Sequence, residues 1–313
     1  PIGMEGKKLE GSLHVVTAQS AQCLFLNKVI RRTGLELIDS QLIFNPLAAA
    51  SAVLRPEEID LGVALIDIGS DLSDVAVFFD KAVQYSAVHP MGGQQITDEI
   101  SIKTHLSQEA AEKLKLQMGQ VRYDARKDKD SFIRLPTAPG YSDDGGRILS
   151  KQALSAIIDV KVLFRIPGIK RMADKSNDLL VGLDIGSSKV VCMIASPVSS
   201  STFKIEGLGE CKSEGIEQGG VVDINQAVDC VRAAVEEAEK TANTTVKTVA
   251  AGISGPHIRT DNCIQQTIVG SGEIEQKDID DLLNTAMSVT LPPSMRYLDV
   301  IPQEYSVDYA RRI

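Results

Sequence analysis

Two short stretches of this chain place an aspartate, a glycine and a serine where they would hold phosphate and a hydrated metal ion. One is Val181-Gly182-Leu183-Asp184-Ile185-Gly186-Ser187-Ser188-Lys189-Val190-Val191; the other is Val63-Ala64-Leu65-Ile66-Asp67-Ile68-Gly69-Ser70-Asp71-Leu72-Ser73-Asp74-Val75-Ala76-Val77. Each reads as an apolar strand, then Asp-Ile-Gly-Ser, then a polar turn, then a second apolar strand. A turn rich in Gly and Ser brings backbone N–H groups up to phosphate oxygens with no side chain in the way, and an aspartate at the strand end can orient hydrated magnesium. Asp184, Gly186, Ser187 and Ser188 have these places in one copy, and Asp67, Gly69 and Ser70 in the other; Lys189 adds a point charge for a phosphate tail. A single such hairpin is as readily a plain turn with its Asp capping the loop. A pair at corresponding places indicates a duplicated domain, and facing turns would clamp a phosphate tail between them.

The other reactive side chains form no comparable group. Cys23, Cys192, Cys211, Cys230 and Cys263 are scattered and odd in number, with no close pair and no cluster with His14, His89, His105 or His257. That spacing points to a reducing compartment and no structural zinc. His89 and His257 sit near turns, and Glu304 follows Gln303 in an Ile-Pro-Gln-Glu-Tyr run; all three read as structural or surface residues, and no catalytic base is placed.

The elements that must carry the two hairpins follow from composition and pattern. A chain of 313 residues has room for two ordinary domains or for one with a large insertion. With 4% aromatic residues and no Trp, its core must be built from Val, Ile, Leu and Ala, which favours packed α/β layers. A net charge of -9 and no long basic run make nucleic acid an ill-matched partner; a nucleotide needs only backbone N–H groups. No run of about 20 apolar residues occurs, and the opening PIGMEGKKLEG has no apolar core after its lysines, so a cytoplasmic protein is expected.

Along the chain, residues 12–17 read as a strand and QSAQCLFLNKVIRRTG as a helix closing at Gly34. Residues 46–58 read as one helix with a proline near each end. Three strands follow between residues 62 and 90, then a helix from the Gly92-Gly93 turn that continues to Gly119. Residues 120–147 read as solvated loop, and ILSKQALSAIID as a helix. Residues 160–178 alternate Lys and Arg with apolar residues but are broken by Pro167-Gly168; they read as a junction or as an amphipathic membrane contact. INQAVDCVRAAVEEAEKTAN is an amphipathic helix with Ala227, Val228, Val231, Ala234 and Val235 on one side, QKDIDDLLNTAMSVT is another, and residues 296–313 are paired extended segments interrupted at Pro302.

Four segments, VGLDIGSSK, GVVDINQAV, AGISGPHI and VIPQEYSVDY, resemble the amino-terminal part of the FtsA family of bacterial cell-division proteins. LHVVTA, LELIDSQLIFNPLAAASAVL, VALIDIGSDLSDVAVF and HPMGGQQITDEIS resemble its later part. The family order would put the Asp184 hairpin first, whereas here it is second. Tyr309–Ile313 would run on into Pro1-Ile2-Gly3-Met4, and Met172 looks like a natural start. A circular permutant, a fused or truncated reading frame, or a reordering of the written sequence would each produce this.

The resemblance implies an α/β chain with the actin-like, ribonuclease H-like duplicated fold and an FtsA-type small subdomain. The small subdomain would combine residues 1–18 with 246–313. Residues 19–159 would be the second-lobe portion with one phosphate hairpin, 160–178 a junction, and 179–245 the first-lobe portion with the other. It further implies ATP and Mg2+ as cofactors, with Asp184 and Asp67 touching the metal through water. Head-to-tail filaments, a tubulin-like division protein and later division proteins would be partners, at the septum on the inner face of the cell membrane, with a peripheral membrane contact. Turnover would be weak at most; actin-like enzymes position water with an acidic or amide side chain, which the sequence does not locate. Two departures stand against this. Ser70, Asp71, Leu72 and Ser73 replace a loop the family makes rich in Gly and Thr, so Asp71 sets a like charge near the phosphates. The family's Gly-Gly adenosine loop has no counterpart after residue 159, nor has its carboxy-terminal amphipathic helix unless residues 160–171 are its remnant. A nucleotide-free interaction module or truncated fragment, and a metabolite kinase of the same superfamily, are the alternatives.

Overall fold

A computed structural model of the chain describes residues 1–120, 131–135, 147–159, 179–197, 203–308 and 310–311. These fall into two compact units, one from residues 1–90 and 166–313 and the other from residues 91–165.

The first unit begins with β1 (Lys8–Gln19), α1 (Ser20–Arg32), β2 (Glu36–Phe44), α2 (Asn45–Val53), α3 (Pro56–Leu61), β3 (Val63–Ile68), β4 (Ser73–Phe79) and β5 (Ala82–His89). The second holds α4 (Gly93–Thr104), α5 (Gln108–Met118), β6 (Phe132–Arg134), β7 (Ile148–Ser150) and α6 (Lys151–Asp159). The chain then returns to the first unit with β8 (Leu180–Ile185), β9 (Lys189–Pro197), β10 (Phe203–Lys212), β11 (Ile216–Glu217), β12 (Gly220–Val221), α7 (Ile224–Ala242), β13 (Thr248–Ile253), β14 (Ile258–Ile268), α8 (Gln276–Met287), β15 (Met295–Val307) and β16 (Ala310–Arg311).

Three sheets make up most of the first unit. The largest has the order β10-β9-β8-β13-β2: β8, β9 and β10 form an antiparallel meander, and β13 lies parallel to both β8 and β2. The apolar stripe of α7, from Ala227 and Val231 to Ala234 and Ala238, is buried against it with Val190, Cys192 and Ile194. Asp223 caps this helix, accepting hydrogen bonds from the Asn225 and Gln226 amides, which satisfies two of the donors that a helix start leaves open. The approach of α7 is close enough that a side chain at Gly209 would collide with the Ala234 carbonyl.

A four-stranded sheet, order β14-β1-β15-β16, unites opposite ends of the chain, with β1 antiparallel to both neighbours. Helix α8 covers one face, its Leu282 and Ile279 packing with Leu9, Leu13 and Val307. The third sheet is the β3-β4-β5 meander, backed by α2 and α3 through Ala50, Ile59, Ala76 and Phe78. Side chains stitch these last two sheets together. His14 of β1 is 2% exposed and reaches Asn262 with Nδ1 at 2.7 Å and Ser86 of β5 with Nε2 at 2.8 Å. Gln303 donates to the Val83 carbonyl at 2.6 Å, and Thr260 to the Ser86 carbonyl at 2.6 Å. In the second unit, Ile100, Leu114, Leu154 and Ile158 form the core.

Several local expectations change. The helix expected over 46–58 is two, because Arg55 before Pro56 takes an extended conformation and Pro56 starts α3. The helix expected to run on to Gly119 breaks at His105, which is left-handed at φ 53°, and restarts with Ser107 as N-cap. Ile148–Ser150, expected as helix, is a strand paired with β6, which itself lies in the stretch expected as loop. Strand β15 is not interrupted at Pro302: the register shifts by one residue there, and the bulge absorbs the missing N–H. α1 and β2, assigned from the sequence to the second-lobe portion 19–159, belong to the sheet and core that hold β8 and β9. The junction at 160–178, with Met172 and the amphipathic stretch 160–171, lies outside the described residues.

Candidate functional site

Both Asp-Ile-Gly-Ser segments fold as tight hairpins with the same closing bond. The Gly69 amide donates to the Leu72 carbonyl at 2.8 Å, and the Gly186 amide to the Lys189 carbonyl at 3.0 Å. A side chain at either glycine would press on that carbonyl, so the turn chemistry accounts for both. Asp67 and Asp184 are the last-but-one residues of β3 and β8, which places each carboxylate beside the turn.

All eight residues singled out from the sequence, Asp67, Gly69, Ser70, Asp184, Gly186, Ser187, Ser188 and Lys189, line one cavity of about 340 Å3. Asn45, Ile68, Asp71, Leu72, Asp74, Ile185, Gly219 and Ser254 complete the wall. His89, His257 and Glu304 are not part of it. His257 is buried with Nε2 unpartnered among the described residues, and Glu304 sits exposed on β15 opposite Ser12.

The cavity is rich in negative charge. Antiparallel register sets Asp74 directly across from Asp67. Burial lifts Asp74 to about 6; the hydrogen bond it accepts from Ser254 Oγ at 2.5 Å opposes this, and the charges of Asp67 and Asp184 add to it. Asp184 is also raised, first because the cleft walls strip water from it and then by Asp67, while Lys189 and the Asn45 amide act against the rise. Lys189 is itself engaged with Glu210 on the next strand at 3.0 Å, both side chains being half exposed, a contact of little energetic weight that a phosphate could replace.

Three parts of the wall went unassigned in the sequence. Asn45 opens α2 and comes close because β13 has Gly252 at the crossing, where any side chain would overlap the Asn45 amide. An Asn-Pro pair at a helix start was its only signal. Ser254, in the turn after β13, reaches Asp74 across 180 residues of sequence, a contact no local pattern reveals. The tip of the β11–β12 hairpin is the third. Gln218 and Gly219 both have positive φ, 48° and 70°, as a two-residue hairpin turn requires, and the tip bridges the two loops: the Gly219 amide donates to Ser187 Oγ at 3.0 Å and the Gln218 amide to Asp71 Oδ2 at 3.2 Å.

This donor set suits a phosphate only together with a divalent cation. Carboxylates gathered this closely repel an anion, and a cation between them would relieve both repulsions. Among the described residues no group of three His, Cys, Asp or Glu side chains converges tightly enough to chelate a metal directly; Asp67 and Asp184, both lining the cavity, could meet a cation through its water shell. Also among the described residues, no helix is long and apolar enough to cross a membrane.

The family model described as "Cell division protein FtsA" matches residues 64–178, and that described as "SHS2 domain inserted in FTSA" matches residues 255–313. Cell division protein FtsA of Escherichia coli strain K12 is 37% identical over 135 residues, covering 43% of this chain and 32% of that protein. The FtsA proteins of Neisseria meningitidis serogroup B and Pseudomonas aeruginosa are each 35% identical, over 52% and 51% of this chain and 38% and 37% of their own lengths. The chain thus spans about a third of the length of the curated relatives it matches. Among solved structures, MreB5 of Spiroplasma citri bound to ADP aligns over 36% of each chain at 18% identity with a TM-score of 0.29.

Proposed function

Because the chain belongs to the FtsA family over residues 64–178 and 255–313, and so has an actin-like α/β fold with the FtsA small subdomain, we propose that it is a cell-division protein whose state is set by magnesium–ATP held between its two hairpins. The observation that carries this is the convergence of Asp67-Ile68-Gly69-Ser70 and Asp184-Ile185-Gly186-Ser187 on one cavity, although 117 residues of sequence separate the two aspartates. The cavity would accommodate the phosphates. Turn amides and serine hydroxyls would contact their oxygens, Asp67 and Asp184 would orient the water shell of magnesium, and Lys189 would turn from Glu210 toward the tail. The bound cation would supply charge neutralisation. Asn45, whose amide hydrogen-bonds Asp184, would be the group to orient a water molecule there.

In this reading the nucleotide regulates assembly into head-to-tail filaments, because a repeating contact that does not close propagates. The filament would link a tubulin-like division ring to the cytoplasmic membrane at the septum and engage later division proteins. The four-stranded sheet built from residues 8–19, 258–268 and 295–311 is the small subdomain in this assignment.

Calorimetric titration of the 313-residue chain with ATP in magnesium tests the reading. Saturable one-to-one binding that is weakened at least about tenfold by Asp67→Asn combined with Asp184→Asn supports it. Absence of heat from a folded chain, or unchanged binding in the double variant, would remove these residues from the site and leave an interaction fragment.

A further inference from the structure

We propose that Asp71 is an internal substitute for a bound phosphate, holding the Gln218–Gly219 tip closed over the cleft until a cation-complexed phosphate displaces it. This rests on the nucleotide reading above and adds a specificity-determining residue to it. A carboxylate and a phosphate are interchangeable as acceptors for a backbone N–H, and Asp71 Oδ2 already takes the Gln218 amide at 3.2 Å. Its other oxygen accepts from Ser70 Oγ at 3.3 Å, which fixes the carboxylate at the rim of the cavity.

The tip is built for close seating. Gly219 has φ 70°, its amide is held by Ser187 Oγ, and a side chain there would strike the Ser254 carbonyl. One loop therefore grips the tip through Asp71 and the other through Ser187, so the tip reports on both hairpins at once. Asp71 also brings a further negative charge to a wall that has Asp67, Asp74 and Asp184. A free phosphate would meet this charge unscreened; a phosphate carrying a divalent cation would not. Asp71 thus makes the site selective for the complexed nucleotide. Displacement of its carboxylate frees the Gln218 amide for the ligand and unlocks a hairpin continuous with the start of α7, whose Asp223 amide bonds back to Gly215.

The test uses the full chain as wild type, Asp71→Asn and Asp71→Ala. Each is titrated by calorimetry with AMP-PNP, once with magnesium and once with EDTA, while hydrogen exchange is followed at the Gln218 amide. Removing a charge-assisted hydrogen bond that competes with the ligand should tighten magnesium–nucleotide binding by about tenfold in Asp71→Ala. It should also raise weak metal-free binding and speed Gln218 exchange in the nucleotide-free chain. Asp71→Asn, which keeps an acceptor but no charge, should recover metal-free binding while still protecting the amide. If the wild type binds and Asp71→Ala binds no tighter, or Gln218 exchange is unchanged, the substitute role falls while the nucleotide reading stands. If wild type and both variants are folded and none binds, the nucleotide reading falls and takes this proposal with it.

Discussion

Ser86→Ala tests the seam between the hairpin sheet and the four-stranded sheet. Asn262 Oδ1 can only accept, so at 2.7 Å it fixes the proton on His14 Nδ1. In the neutral ring Nε2 must then accept, and at 2.8 Å its donor is the Ser86 hydroxyl. His14 is 2% exposed and Ser86 fully buried, so water is poorly placed to replace the lost donor. Deleting one oxygen changes the volume little, and the cost is that of an unsatisfied buried acceptor, about 1–3 kcal/mol. Burial holds the His14 pKa below 6.5, against the hydrogen bond His14 donates to Asn262 and the charges of Asp299 and Asp261. The unfolded chain therefore takes up the proton first, so this stability is complete above the ordinary value and is lost as pH falls below it. Urea denaturation of wild type, Ser86→Ala and His14→Gln at about pH 8 and about pH 5.5 measures both effects. His14→Gln lacks the titration and should lose less stability on acidification than wild type. A cost for Ser86→Ala below about 0.5 kcal/mol at the higher pH, smaller than one ordinary hydrogen bond, or an equal acid loss in His14→Gln, would refute the reasoning.

Two further outcomes follow from charge and packing. Asp74 is lifted from 3.8 to about 6, so the stability associated with its protonated form is full below the lower value and lost as pH rises through the upper one; Asp74→Asn should remove that loss. The gain at neutral pH has an upper bound of about 3 kcal/mol, read as a difference between urea midpoints that widens with pH and then levels off. Gly209→Val should destabilise the chain by about 1–3 kcal/mol or more in thermal melts, because a Cβ there would collide with the Ala234 carbonyl and force α7 off the sheet.

Where the sequence was legible, the determining physics is local. The hairpins at Asp67 and Asp184 could be read because a strand, a Gly-Ser turn and a second strand follow from side-chain alternation and turn geometry within about a dozen residues. The same holds for α7, whose apolar spacing and Asp223 cap are complete within the segment. Breaks were harder. His105 has no glycine or proline to mark its left-handed turn, and Ile148–Ser150 is a strand only because Phe132–Arg134 supplies its partner. Pro302 looked like an interruption because a proline lacks a ladder donor; a bulge opposite Ser12 and Leu13 accommodates it.

By itself the sequence determined the chemistry available to this protein: two Asp-Ile-Gly-Ser turns, their aspartates, and the apolar strands and helices beneath them. Tertiary structure alone decided that the turns share one cavity, that Asn45 and Ser254 join them, that Asp71 grips the Gln218 amide, and that residues 8–19 pair with strands at 258–268 and 295–307. The division has a physical reason. Turns and amphipathic elements depend on neighbours along the chain, whereas carboxylate repulsion, glycine-permitted close approach and strand pairing depend on which distant segments burial brings within a few ångströms.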